Sequence, residues 1–332
     1  MTSSQPLSFE FRPYRRPFRQ TLKTSHGAWK HREGIILKFT NHQGHTGFGE
    51  IAPLPWFGTE TQAQALNFCA QLPAQLFEDN LFTIFPSFPA CKFGFEVALG
   101  NITRSSHCAE LTPRHYSALL PAGKAALSAW PVLWSKGHRT FKWKIGVAPV
   151  AVELAWLSQL MKQLPLGAKL RLDANGGLSE LAAHHWLDAC DRLGHRIEFI
   201  EQPLPPHRFD DLMKLAGRYR TPIALDESVT TLDQLKTHYY RGWDGIYVLK
   251  AAILGSPSRL KQFCLENPID WVISSVFETD IGRQALIDLT TELATLLPPH
   301  APRRVLGLGT QQWLPNDGLD DPDWEALWQR LH

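Results

Sequence analysis

Five charged residues recur at one rhythm along the chain: Lys144, Asp173, Glu201, Asp226 and Lys250. Each closes a short apolar, β-favouring run, as in Phe141-Lys142-Trp143-Lys144, Leu170-Arg171-Leu172-Asp173 and Tyr247-Val248-Leu249-Lys250. Successive members stand 24 to 29 residues apart, the length of one strand-plus-helix unit. In a parallel barrel the C-terminal strand ends meet at one mouth, so the five side chains would converge there. Three carboxylates in one place repel one another unless a cation stands among them. Their oxygens suit Mg²⁺, with Mn²⁺ as a substitute. Zn²⁺ is disfavoured, because no His or Cys accompanies them. A lysine on either side of such an ion suits one class of chemistry: removal of a proton α to a substrate carboxylate, with the ion stabilising the negative charge that develops. The base must be neutral to act. Lys142, the ion and Lys250 push its pKa down, while the carboxylates push it up.

Taken singly, each residue has an ordinary reading. An acid at a strand end is usually a helix cap or a surface charge, and a lysine there is usually solvated. Asp173-Ala174-Asn175 reads equally as an Asx turn or as a ligand with Asn175 supporting it from behind. Glu227 and Ser228 read as helix caps or as supports for Asp226. The signal is the ordered set at one-unit spacing.

The elements that must position this set follow from periodicity. Strands are expected at 116–120, 140–145, 169–173, 197–201, 222–226, 245–250, 271–275 and, weakly, 305–308. Helices are expected at about 149–164, 179–193, 209–219, 232–240, 256–264 and 282–297. Seven or eight βα units in series imply a β/α barrel or a doubly wound sheet. Residues 1 to about 105 read differently, with strands near 8–12, 35–40 and 46–51, a helix near 60–75 and a short one near 93–100. The Trp- and Leu-rich stretch 321–331 is expected to pack back on the body.

Composition is that of a globular protein: 332 residues, 44% hydrophobic and 20% charged. A net charge of +2 gives no argument for nucleic acid. The basic residues between Arg12 and Arg32 read as a solvated strand face. No apolar run is long enough to span a membrane, and no apolar core follows a charged start as in a secretory signal. Five cysteines, scattered singly at 69, 91, 108, 190 and 264, read as reduced thiols of a cytoplasmic protein.

Lys142-Trp143-Lys144, Asp173-Ala174-Asn175, Glu201-Gln202-Pro203, Asp226-Glu227-Ser228 and Lys250 together resemble the muconate-lactonizing-enzyme-like subgroup of the enolase superfamily, over about residues 140–275. The resemblance implies an α/β fold, a modified (β/α)7β barrel over 106–310. It also implies an α+β capping domain over 1–105, with 311–332 returning to it. It implies that Asp173, Glu201 and Asp226 bind Mg²⁺, and that Lys144 and Lys250 flank a small carboxylate substrate, the pairing of base and ion that this superfamily uses.

Gly49-Glu50-Ile51-Ala52-Pro53-Leu54-Pro55-Trp56-Phe57-Gly58-Thr59-Glu60-Thr61, Ser274-Ser275 and Gly307-Leu308-Gly309-Thr310 further resemble the o-succinylbenzoate synthase family. That implies a syn dehydration in menaquinone or phylloquinone biosynthesis. Lys144 would serve as base and then acid, and Lys250 as a stabilising cation. Lys142, Asn175, Glu227, Ser274 and Ser275 would line the site or support it.

The alternatives on the same scaffold are an N-succinylamino acid racemase, a dipeptide epimerase or a cycloisomerase. The Asp-x-Asp that epimerases carry on the eighth strand has no counterpart near 305–310. A non-catalytic barrel would have lost a ligand or a lysine, and none is lost. Specificity would lie in the loops near 24–27 and 53–58, where Trp56 and Phe57 either wall off substrate or pack a domain interface. Gly176-Gly177 departs from the larger residues of many relatives and suggests a roomier mouth or a looser loop. Glu278 reads as a helix-entry residue.

Overall fold

The computed structural model describes residues 5–24, 27–77, 87–103, 111–297 and 302–331. Cys108 and part of the loop near 24–27 lie outside them. Two sheets organise the chain. The first is antiparallel, in the order β3-β2-β1-β4, from β1 (Leu7–Thr24), β2 (Gly27–Thr40), β3 (Thr46–Ile51) and β4 (Gln75–Leu76). β1 and β2 pair in register from Ser8↔Thr40 to Pro17↔His31, well beyond the short strands expected from sequence. One face carries Phe9, Leu37 and Phe39, buried against the helix Pro89–Thr103.

The second sheet is parallel and nearly closed. It comprises β5 (Tyr116–Leu119), β6 (Thr140–Lys144), β7 (Lys169–Asp173), β8 (Ile197–Glu201), β9 (Ile223–Leu225), β10 (Ile246–Leu249), β11 (Asp270–Ile273) and β12 (Leu306–Gly309). β12 pairs with β5, and a bridge from Ser274 to Gly307 joins its other side to the end of β11. A helix follows each of the first seven barrel strands, giving α/β architecture of the (β/α)7β kind. Side-chain stops start several of these helices. Ser179, Thr231 and Ser256 each accept a backbone N–H of the first turn.

The helix Ala126–Ser135 was not expected. Its sequence, ALSAWPVLWS, carries Pro131 inside it and reads as a helix breaker.

Strand alternation sets the interior. Phe199, Ala224, Ile246, Val248 and Val272 fill the barrel, each two residues or a multiple of two from a mouth residue on its own strand. Beneath them lies a polar network. Arg171 Nε donates to Glu198 at 2.8 Å, Arg304 Nη1 to Glu198 at 3.0 Å, and Arg304 to both oxygens of Asp270 at 2.7 and 2.6 Å.

The basic stretch on β1 and β2 is not uniformly solvated. Arg16 and Arg32, cross-strand partners, are 1% and 2% exposed. Arg16 is taken by Asp317 and Asp320 of the C-terminal segment at 2.8 and 3.0 Å, an arrangement local sequence cannot reveal. Arg12 donates to the carbonyls of Trp328 and Leu331, so this segment lies on the first sheet.

Candidate active site

The register puts the chemistry-bearing residues side by side. Lys144 is the Cα partner of Asp173, and Asp173 of Glu201. Lys142 and Lys144, two apart on one strand, share the inward face, while Trp143 between them is buried outward against Trp186. Asp173, Glu201 and Asp226 are 8%, 1% and 3% exposed.

The three carboxylates are held by ammonium groups. Lys142 Nζ sits 2.9 Å from Asp173 Oδ2 and 2.7 Å from Glu201 Oε1, and Lys250 Nζ pairs with Asp226 Oδ1. Among the described residues no three acidic, histidine or cysteine side chains form a closed metal cage: Asp173 and Glu201 share one cation while Asp226 turns to another. The donor set nevertheless fits a hard divalent ion. It is all oxygen, it is buried, and two of its carboxylates already lie within reach of a single positive centre.

The electrostatics follow from this crowding of acids and ammoniums. Burial and the adjacent Asp173 charge push the Glu201 carboxyl well up. Burial opposes the Asp173 charge too, but Lys142 outweighs it and pulls that carboxyl down. Burial would lower Lys142 and Lys250, yet the carboxylates override it and hold both ammoniums up: Asp173 and Glu201 for Lys142, Asp226 and Glu227 for Lys250. Lys144 is half-buried and pairs with no acid among the described residues.

A layer behind the carboxylates aims them. Asp173 Oδ1 accepts from Asn175 N at 3.0 Å, so the Asx turn and the candidate ligand are the same residue. Asn175 Nδ2 donates to Glu227 Oε1 at 3.0 Å, and burial with the Asp226 charge lifts Glu227 to about 7. Gln202, fully buried, accepts from the backbone N–H of both Asp226 and Ser228 and donates to Ser228 Oγ. Spacing alone gives Gln202 no role, and its place inside Glu201-Gln202-Pro203 is the signal that marks it. The Gly176-Gly177 turn is closed by Gly176 N to Gln202 O and Gly177 N to Ala174 O, so it is a tight turn and not a loose loop.

At the end of β11, Ser274 N donates to Leu249 O beside Lys250. Ser275 Oγ donates to Glu278 and accepts from Phe277 N. Glu278 therefore ties the loop after β11, lying just ahead of the helix Asp280–Leu296, whose N-terminus is held by another acid. Glu50 of β3 accepts from Thr279 N, Thr279 Oγ1 and Gly282 N. A Cβ at Gly282 would lie 2.6 Å from that carboxylate, which explains the glycine.

Aromatic rings roof the mouth. Trp56 packs edge-on to Trp29, and Trp29 edge-on to Phe277, so Trp56 belongs to the sheet–barrel interface. Phe57 instead lies over Lys250, with Nζ 4.4 Å from its ring centroid. Non-glycine backbone with positive φ occurs at Asn175, Gln202 and Phe277, each just beyond a barrel strand. Strain of this kind gathers where a site over-determines its backbone.

A barrel with buried acids on three successive strands, lysines on both flanks and an antiparallel sheet roofed over its mouth defines the enolase superfamily. Residues 127–265 match the enolase C-terminal domain-like family, and residues 9–102 match the MenC N-terminal domain. The chain belongs to the MenC family of that superfamily. It is 40% identical over 98% of its length to an o-succinylbenzoate synthase of Thermosynechococcus vestitus, covering 99% of that protein. The crystal structure of o-succinylbenzoate synthase from Thermosynechococcus elongatus BP-1, complexed with magnesium in its active site, superposes with a TM-score of 0.89 at 38% identity, covering 98% of this chain and all of that one. The L-Ala-D/L-Glu epimerase of Bacillus subtilis has a TM-score of 0.77 at 19% identity, covering 94% of this chain and 92% of that one, and shares the fold.

Proposed function

We propose that this chain is a hydro-lyase that dehydrates 2-succinyl-6-hydroxy-2,4-cyclohexadiene-1-carboxylate to o-succinylbenzoate, a step of menaquinone or phylloquinone biosynthesis. The observation that carries this reading is the near-full-length 40% identity to an o-succinylbenzoate synthase. The magnesium named in the active site of the 38% identical structure supports Mg²⁺ as the cofactor. We assign Asp173, Glu201 and Asp226 to hold it. When bound, the ion supplies Lewis-acid stabilisation of charge developing on the substrate carboxylate.

The remaining roles belong to the chain. Lys144 Nζ, free of a carboxylate partner among the described residues, accepts the α-proton. The ammonium so formed gives a proton to the hydroxyl departing from the same face, and water leaves. Loss of water makes the ring aromatic, so the site has mainly to place the substrate and stabilise charge. Lys250 stays an ammonium and faces that charge. Lys142 bridges Asp173 and Glu201. Asn175 and Glu227 brace the carboxylates, and Ser274 and Ser275 border the substrate at the end of β11.

Among the described residues no helix is long and apolar enough to cross a membrane. Cys69, Cys91, Cys190 and Cys264 are buried free thiols, which supports a cytoplasmic setting. The test is to assay dehydration and N-succinylamino acid racemisation side by side with the Mg²⁺-loaded protein. Aromatic product is expected, and racemisation without dehydration would overturn the reading.

A further inference from the structure

We propose that Phe57 is a positioning residue for Lys250, so that a turn attached to the antiparallel sheet completes a site otherwise built by the barrel. The inference rests on the assignment of Lys250 as the cation facing the developing charge. Among the described residues, Lys250 Nζ meets partners of two kinds: the Asp226 carboxylate, and the face of the Phe57 ring with its centroid at 4.4 Å. A ring face attracts an ammonium electrostatically within about 6 Å, and more strongly when water is excluded. Here Lys250 is largely buried, its side chain 13% exposed. An acid and a π face together restrain where the ammonium can sit.

The turn that presents the ring is built for rigidity. Arg32, itself buried, donates from Nη1 to Pro53 O at 2.8 Å. Leu54 N donates to Thr59 Oγ1 at 2.8 Å, Phe57 N to Leu54 O at 2.8 Å and Gly58 N to Pro55 O at 3.0 Å. Gly58 closes the turn at φ 86°. Trp56, the neighbouring residue, is wedged against Trp29, which packs on Phe277 from the end of β11. The turn that carries the Phe57 ring is thus tied to the sheet through Arg32 and Trp29, and through Trp29 to Phe277 beyond β11.

The experiment replaces Phe57 by mono-, di- and trifluorinated phenylalanine, near-isosteric rings of falling negative face charge. It reads kcat and KM for dehydration, and thermal stability. In parallel, ¹³Cε-lysine protein, with Lys250 assigned by Lys250→Arg, reports whether the Lys250 ε-protons are shifted upfield by the ring. The expected result is a stepwise fall in kcat reaching about tenfold, on the scale of one buried cation–π contact, with thermal stability unchanged. An upfield Lys250 signal is expected in the unmodified protein and lost in Phe57→Leu. Flat kcat across the series in folded protein overturns the proposal and leaves the dehydratase reading standing. A Lys250 signal at the position of a solvated lysine overturns it whatever the activity. If the unmodified protein does not dehydrate, the functional reading fails instead. An upfield signal that moves with fluorination then still establishes the Phe57–Lys250 contact.

Discussion

Lys144 and Lys250 are the same residue type on opposite flanks of one set of acids, and their surroundings set them apart. Lys250 is pinned by Asp226 and covered by Phe57, whereas Lys144, on the inward face of β6, has no acid partner among the described residues. A base needs an available lone pair and a stabilising cation needs a fixed charge, so the asymmetry supports the roles proposed for the two lysines. Lys144→Ala is expected to lower kcat by at least about 10²–10⁴-fold, the usual share of general acid–base catalysis, while Mg²⁺ binding measured by calorimetry persists. Near-normal turnover would remove Lys144 from the mechanism. Asp226→Asn is expected to weaken the apparent Mg²⁺ affinity by at least about tenfold, the scale lost even when a partner behind a ligand is changed. An unaltered Mg²⁺ activation curve would remove Asp226 from the ligand set.

The elements carry the site through contacts distant in sequence. Glu50, on the antiparallel sheet, caps the barrel helix Asp280–Leu296 from 229 residues away. Glu50→Ala would leave Thr279 N and Gly282 N unpaired in a buried place, at a cost of about 1–3 kcal/mol. Denaturant unfolding should show that loss, and a shift of only a few tenths would mean water replaces the carboxylate. These contacts also mark how far the sequence could be read. β7 and β8 fall where periodicity placed them, to the residue, because alternation and flanking turns are local signals. The mouth acids were legible because each ends such a strand. The helix Ala126–Ser135 was hidden by Pro131. Glu50, Gln202 and the seat of Phe57 were hidden because their roles exist only once remote strands meet. The basic stretch on β1 misled for the same reason, since the acids that bury Arg16 come from the last sixteen residues.

At the scale of the whole molecule, the barrel is polar at both ends and apolar between. The mouth gathers the acids Asp173, Glu201 and Asp226, the proposed ligands of an ion. The far end satisfies its own charges through Arg171, Glu198, Arg304 and Asp270. Burial alone would raise the Glu198 carboxyl, but Arg171 and Arg304 outweigh it and hold it below the ordinary carboxylate range. A depressed folded-state pKa contributes stability that is complete above the unfolded value, about 4.3, and is lost as pH falls through the folded value. Thermal unfolding followed against pH should therefore show a steeper acid limb in the unmodified protein than in Glu198→Gln, and equal slopes would contradict the pairing. At the mouth, Mg²⁺ should raise the unfolding temperature and EDTA should remove the gain, since the ion binds the folded state. Three strand-end acids, Asp173, Glu201 and Asp226, are proposed to share one cation. Mn²⁺ soaked into crystals, followed by an anomalous difference map, tests it most directly. The expected result is one strong peak within about 2.5 Å of oxygens from Asp173, Glu201 and Asp226 together. A peak lacking any one of the three, or no peak at the mouth at all, would contradict it.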